Sequence, residues 1–399
     1  MRFFTAVFAS LALLAVPSFG APTAALKTVE TYAGQVKEQS YVVVLKNGVS
    51  KNAHLNWVHE HVGNNTVTHA EWRADLLNGF AGKFTQSQLN QLRANPDIES
   101  IVEDGIFSIN AAVTQTNAPW GIARLSQDAR LSNQNTGSLT FTYKYDSAAG
   151  AGVDVYVVDT GIFTSHSQFG GRARWGATFG GYANADGNGH GTHVAGTVGS
   201  NQYGVAKSVS LIAVKVLSDQ GSGSVSDIVS GLNWVLTQAR ASGRPSIATL
   251  SLGGSASTPL DNAIVSLVNA GIHVTVAAGN DNVDARNTSP ARVAVANTIG
   301  ASTIADARAS FSNFGSVVDL FAPGQNIIST WIGSTTATNN ISGTSMATPH
   351  VAGLIAYLIS VEGNSSPAAI SDRLKSLAVK GVLSGIPSGT VNNLARNDQ

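Results

Sequence analysis

Val153-Asp154-Val155-Tyr156-Val157-Val158-Asp159-Thr160-Gly161 is the stretch whose reading decides the fold. From 153 to 158 nearly every residue is apolar, so a strand here is covered on both faces, as strands of parallel sheets are. Similar runs occupy residues 209–217, 247–252 and 273–278, with helix-length stretches at 225–241 and 260–270 between them. Buried strands alternating with helices predict an α/β domain on a parallel, doubly wound sheet. Sites in such sheets gather at the carboxyl ends of the strands. Those ends are Asp159, Gly253 and Asn280, which locates a candidate site before any chemistry is considered.

Toward the N-terminus the texture changes before Thr114. Residues 40–109 carry a strand pattern at 41–45, a helical stretch at 52–62 and an apolar segment at 77–84. A helix opened by Thr85 and Gln88 in capping-box spacing follows, then strand patterns at 98–102 and 106–109. This order predicts a small α+β, ferredoxin-like module. Asn110-Ala111-Ala112-Val113-Thr114 is small and polar and reads as an exposed linker. At the start, Met1-Arg2-Phe3-Phe4 leads an apolar run to Val16, and Ser18 and Gly20 are small residues three and one before a cut after Gly20. Residues 1–20 read as a secretory signal peptide, and no later stretch reads as a membrane helix. The expected division is therefore a signal peptide at 1–20, a module at 21–112 and a main domain at 113–399.

Composition narrows the function classes. Lysine plus arginine equals aspartate plus glutamate at 24 each, so the charge that nucleic acid or an anionic membrane attracts is missing. The chain has no cysteine, which excludes a thiol nucleophile, a thiolate-bound metal and disulfides. A chain of 399 residues can be stabilised by burial alone, and nothing signals an interface, so a monomer is expected.

Three segments carry chemistry. Asp159 follows a buried strand and precedes a glycine turn, where an aspartate alone would be only a cap. Asn188-Gly189-His190-Gly191-Thr192-His193 places two histidines three apart, which with Asp186 also makes a metal set, the weaker reading for want of further ligands. Ile341-Ser342-Gly343-Thr344-Ser345-Met346-Ala347-Thr348-Pro349-His350 leads into an apolar helix. Pro349 clashes with a helical carbonyl four residues back, that of Ser345, so Ser345 belongs at the helix start. Its backbone N–H is then free, at the positive end of the helix dipole. Asp159, His190 and Ser345 make an orienting carboxylate, a base and a nucleophile. Their order matches the subtilisin arrangement, whereas an α/β-hydrolase needs its histidine after the serine.

These motifs, in this order, resemble the proteinase K group of the subtilase family, especially its cysteine-free fungal members. The resemblance runs from the signal peptide through an inhibitor-like propeptide to a mature region beginning near Ala118-Pro119-Trp120-Gly121 and ending near Gly389-Thr390-Val391-Asn392. It implies a secreted serine endopeptidase made as a zymogen, whose residues 21–112 inhibit it and are removed autocatalytically. It implies His190 as the base, His193 as a structural residue, and Asn280 as an oxyanion donor beside the Ser345 N–H. Gly221-Ser222-Gly223, Ser251-Leu252-Gly253-Gly254 and Gly279 would line the groove for an extended peptide, whose main-chain pairing tolerates many sequences. Uncharged, glycine-rich walls suggest broad cleavage after hydrophobic or aromatic residues, with Val225 giving a less stacked fourth subsite.

Catalysis needs no cofactor on this reading. The resemblance implies a structural calcium ion at Asp319 with the carbonyls of Ala294 and Ala296, while a second family calcium site lacks its carboxylate, the position being Val382. Asn64, Asn287 and Asn364 are candidate glycosylation sequons; Asn340 is set aside for its nearness to Ser345. His54, His59, His61 and His69 fall in the 21–112 segment. They read either as solvated surface residues or as a device for pH-dependent release.

Overall fold

The computed structural model describes residues 26–32, 36–63, 67–106 and 112–399. The expected signal peptide and Asn64 lie outside the described residues. Two compact units are formed, the smaller of which includes residues 38–104.

In the smaller unit, β1 (Val29–Glu30), β2 (Val36–Leu45), α1 (Lys51–Trp57), β3 (Val67–Glu71), β4 (Gly79–Lys83), α2 (Gln86–Ala94) and β5 (Ile98–Gly105) follow in order. The sheet order is β1-β5-β2-β4-β3. Four of these strands, β5-β2-β4-β3, with α1 after the first and α2 after the third in sequence, give the ferredoxin-like arrangement. Val43, Leu45, Phe80, Leu89, Leu92 and Ile101 belong to its core. The Thr85 capping box is formed, with the Thr85 N–H donating to Gln88 Oε1 at 2.8 Å. The helix expected to reach residue 62 ends at Trp57 and continues as a π turn, Val58–Val62. The short polar strand β3 escaped the sequence reading because Val67-Thr68-His69-Ala70-Glu71 has no apolar run. Ile106 lies outside any strand, and residues 107–109 are outside the described residues.

The larger unit opens with β6 (Ala112–Ala118), α3 (Trp120–Arg124) and β7 (Phe141–Asp146). Here the expected linker is corrected. Asn110 and Ala111 lie outside the described residues, but Ala112 and Thr114 pair with Asp146 and Lys144 of β7. Small polar side chains do not prevent a strand, because the ladder uses backbone groups.

Next come β8 (Asp154–Asp159), β9 (Ala173–Thr178), α4 (His190–Gly199), β10 (Ser210–Lys215), α5 (Val225–Ser242), β11 (Ser246–Leu250) and β12 (Gly254–Ser255). They are followed by α6 (Thr258–Asn269), β13 (His273–Ala277), β14 (Thr288–Ser289), β15 (Asn297–Ser302) and β16 (Leu320–Pro323). The chain ends with β17 (Ile327–Thr330), β18 (Thr338–Ile341), α7 (Thr344–Glu362), α8 (Pro367–Leu377), β19 (Val379–Lys380) and β20 (Asn393–Leu394).

The main sheet has the order β19-β20-β16-β15-β13-β11-β8-β10-β9, and from β16 to β9 every pairing is parallel. Alternate residues of β8 feed two cores. Val155 and Val157 pack with Val194, Val198 and Val351, whereas Tyr156 and Val158 pack with Leu232, Val235 and Ile264. The sheet is thus covered by α4 and α7 on one face and by α5 and α6 on the other. Contrary to the sequence reading, α7 is long and apolar enough to cross a membrane by length and composition, with a mean hydropathy of 1.3. Its residues 346–359 are buried in the protein core instead.

Candidate active site

β8 runs its buried carboxylate, Asp159, to the carboxyl end of the sheet, where Gly161, at φ +115°, turns the chain. The Thr160 N–H donates to Asp159 Oδ1 at 2.7 Å, and the N–H groups of Val216 and Leu217 donate to the Asp159 carbonyl. His190 is the first residue of α4, and its Nδ1 lies 2.8 Å from the same Oδ1. A carboxylate at Nδ1 holds the proton there and leaves Nε2 as the acceptor. The helix can start this close to the turn because residue 191 is glycine. A Cβ at Gly191 would stand 2.1 Å from the Gly161 carbonyl oxygen and 3.2 Å from Asp159 Cβ.

The two histidines of α4 have opposite chemistry. Burial disfavours the His190 imidazolium, but the Asp159 charge and hydrogen bond, with Asp186 adding to them, outweigh it and raise its pKa. His193 is fully buried, with Nε2 2.9 Å from the Ile327 carbonyl, and burial pushes its pKa down to about 3. It is a neutral structural group. Among the described residues no cluster of three histidine or acidic side chains could hold a metal, so the reading of His190, His193 and Asp186 as ligands gains nothing.

Ser345 is the second residue of α7, one place inside the expected start, and Pro349 is accommodated within the helix. The Ser345 carbonyl, which a residue other than proline at 349 would engage, instead accepts from Ser251 Oγ at 2.8 Å. In return Ser345 Oγ donates to the Ser251 carbonyl at 3.1 Å, so the hydroxyl is turned to the segment that follows β11 rather than bonded to His190. Rotation about χ1 redirects a serine hydroxyl, and catalytic hydrogen bonds commonly tighten only with substrate present.

Asn280 Oδ1 accepts from the Thr344 N–H at 2.8 Å and from Thr344 Oγ1 at 3.0 Å, which fixes the amide and leaves Nδ2 to the cleft. A Cβ at Gly343 would stand 3.6 Å from both Asn280 Nδ2 and the Ser345 N, so the two donors lie on the same side of the Gly343 backbone. Gly279, at φ +105°, brings the strand end close enough to Asn313 that any side chain there would collide with it.

His190, Gly221, Ser222, Gly223 and Val225 line a cleft of about 710 Å³, and Gly279, Asn280 and Ser345 line an adjoining one of about 620 Å³. Ser251, Leu252 and Gly253 form the shared wall. This arrangement suits nucleophilic attack on a carbonyl of an extended chain laid along that wall.

The sequence of the subtilase family matches residues 150–395. The chain belongs to the subtilase family. Residues 40–110 match the peptidase inhibitor I9 family, so this subtilase is a subtilisin-like serine endopeptidase carrying an inhibitor-type module. It is 46% identical to the cuticle-degrading protease of Metarhizium anisopliae, over 92% of this chain and 91% of that one. It is likewise 46% identical to Proteinase R of Parengyodontium album, over 92% and 90%. A cold-adapted subtilisin-like serine proteinase of known crystal structure superposes with a TM-score of 0.64 and 44% identity, over 70% of this chain and 98% of that one.

Of the remaining predicted positions, Asp319, Ala294, Ala296 and Asn364 do not line the cleft. Asp319 Oδ1 is paired with Lys375 Nζ at 2.8 Å, and its Oδ2 accepts from the Thr298 N–H at 2.9 Å. Ala294 is exposed and Ala296 buried. A carboxylate and carbonyls are the hard oxygen donors calcium takes, but the Lys375 ammonium competes for one of them. Asn287 and Asn364 are both exposed; Asn287 lines the cleft beside Ser345, and Asn364 Oδ1 is 3.1 Å from His273 Nε2. The sequence reading passed over Lys215, which is fully buried and donates to the Thr160 carbonyl at 2.6 Å and to Asp219 Oδ1 at 2.9 Å. A lysine closing an apolar strand, Leu211-Ile212-Ala213-Val214-Lys215, was its only signal.

Proposed function

We propose that this subtilase is a secreted endopeptidase of broad specificity in which Ser345 attacks the peptide carbonyl. The supporting observation is the 2.8 Å bond from His190 to the buried Asp159, at the rim of the cleft system that also holds Ser345. His190 Nε2 takes the Ser345 proton as the Oγ–carbon bond forms, and Asp159 stabilises the imidazolium. The Ser345 N–H and Asn280 Nδ2 bind the oxyanion; removing one such donor costs roughly 3–4 kcal/mol of barrier. His190 then returns the proton to the leaving amine, and water repeats the sequence on the acyl-enzyme. Substrate pairs its main chain with residues 251–253 and 221–223, and uncharged walls favour hydrophobic or aromatic side chains before the cut.

On the same reading residues 1–20 direct secretion, residues 21–112 inhibit until cleaved by the enzyme itself, and the peptidase domain, residues 113–399, acts as a monomer. Asn287 and Asn364 are the glycan acceptors. Asp319 with the carbonyls of Ala294 and Ala296 binds a structural calcium ion when Lys375 yields, which a higher melting temperature in calcium than in chelator would register. The deciding experiment is Ser345→Ala in the full chain. It should accumulate as an unprocessed precursor without casein hydrolysis, and full maturation with undiminished hydrolysis would refute the assignment.

A further inference from the structure

α4 begins without a capping side chain, since its N-cap is Gly189 at φ +102°. Its orphan donors are met from elsewhere. The His190 N–H donates to Asn188 Oδ1 at 3.1 Å, the Gly191 N–H to Thr160 Oγ1 at 2.9 Å, and the Thr192 N–H to Asp186 Oδ2 at 3.0 Å. Asp186 is buried and accepts five hydrogen bonds in all. Oδ1 takes the Asn188 N–H at 3.1 Å, the Gly189 N–H at 2.9 Å and Thr160 Oγ1 at 2.9 Å, and Oδ2 also takes Thr192 Oγ1 at 2.6 Å. Thr192 Oγ1 in turn accepts from the Phe163 N–H at 2.8 Å. One carboxylate therefore ties the start of the His190 helix to the turn that follows Asp159, through Thr160 on one oxygen and Thr192 on the other.

We infer that Asp186 is a positioning residue for proteolysis, holding the His190 helix in register with the Asp159 turn and balancing the positive helix end at which the imidazolium must form. The second role follows from electrostatics. His190 occupies the first turn of α4, where the helix dipole opposes a cation, and the Asp186 carboxylate lies at that same end. The inference rests on the assignment of Asp159, His190 and Ser345 proposed above.

Asp186→Asn keeps the shape but removes the charge and turns part of an all-acceptor group into a donor facing other donors. With concentrations set by titration with a serine-directed covalent inhibitor, kcat should fall about 10- to 100-fold with KM little changed, the size of loss seen when the hydrogen-bond partner that orients a metal-ligating histidine is removed. The acid limb of the kcat/KM profile should also move to lower pH. Should Asp186→Asn not fold, Thr160→Val, which breaks the bridge while keeping the charge, should lower kcat, and Thr160→Ser should restore it. A titrated Asp186→Asn enzyme with wild-type kcat and an unmoved acid limb overturns the inference. So does Thr160→Val indistinguishable from Thr160→Ser. His190→Ala separates the two readings: if it stays active the triad assignment itself fails, and if it is inert while Asp186→Asn is unaffected only the positioning role is lost.

Discussion

His54, buried in the smaller unit, and His190, a quarter exposed at the cleft of the larger one, are two partly desolvated histidines in opposite company. His54 packs 5.4 Å from the Trp57 ring and 5.9 Å from Phe80, and neither of its ring nitrogens has a hydrogen-bond partner. Asp97 stands 3.9 Å away and is half exposed, so burial dominates and lowers the pKa. His190 is also desolvated, but its carboxylate is at 2.8 Å and fully buried, and the pKa rises. Burial thus pushes both the same way, and the distance and desolvation of the partner charge decide the net sign. Of the four histidines in the 21–112 segment, His54 is no solvated surface residue, whereas His59 and His61 are exposed.

The largest effect is expected at His190. His190→Ala should lower kcat on the order of 10⁶-fold, a magnitude carried over from subtilisin, where loss of the histidine or the serine has that effect; assay against a peptide library, with the propeptide removed in trans and the protein concentration set by absorbance, would check it. Asp159→Asn keeps the imidazole but lets it adopt the wrong tautomer, and about a 10⁴-fold loss in kcat is expected.

A smaller effect concerns pH. His190 must be neutral to accept the serine proton, so kcat/KM should rise as pH climbs through a pKa above the ordinary 6.5. In Asp159→Asn burial remains while the raising charge is gone, so the residual activity should show this limb at lower pH. An unmoved limb would mean that another group titrates.

The subtlest effect is expected at His54. Its folded pKa lies below the unfolded one, so the unfolded module binds more protons. The stability it contributes is complete above the unfolded pKa and is lost as pH falls from there through the folded pKa. Hydrogen exchange on the Ser345→Ala precursor should show severalfold weaker protection of the core amides of residues 38–104 at about pH 5 than at about pH 7.5. His54→Leu should abolish the difference, and equal protection at both pH values in the unsubstituted precursor would end the comparison.

Much of this was legible in the chain itself. The run 153–158 announced a two-sided strand because its residues face two cores in alternation, and the parallel pairing of β8 with β10 and β11, and of β11 with β13, agrees with it, although the order of the strands was not legible. The capping box at Thr85 was readable because it is a contact between residues three apart. β3 and the strand at Ala112 were not, since their polar side chains carry no burial signal and the ladder lies in the backbone. Asp186 appeared in the sequence only as a conceivable ligand. Its bond to Thr160, 26 positions earlier, exists only because α4 lands on the turn after β8.

By itself the sequence determined the class of sheet, the order aspartate, histidine, serine, and the need for Ser345 near a helix start, because each rests on local period or local sterics. The choice between His190 and His193 on physical grounds belongs to the tertiary structure. The two residues share one helix and one motif, and only packing puts Asp159 beside the first and the Ile327 carbonyl beside the second. The same holds for the Ser345 carbonyl that Pro349 leaves free and Ser251 satisfies, and for the Lys375 ammonium on Asp319. Distances between segments far apart in the chain are set by how the layers close on the core, and no local pattern encodes them.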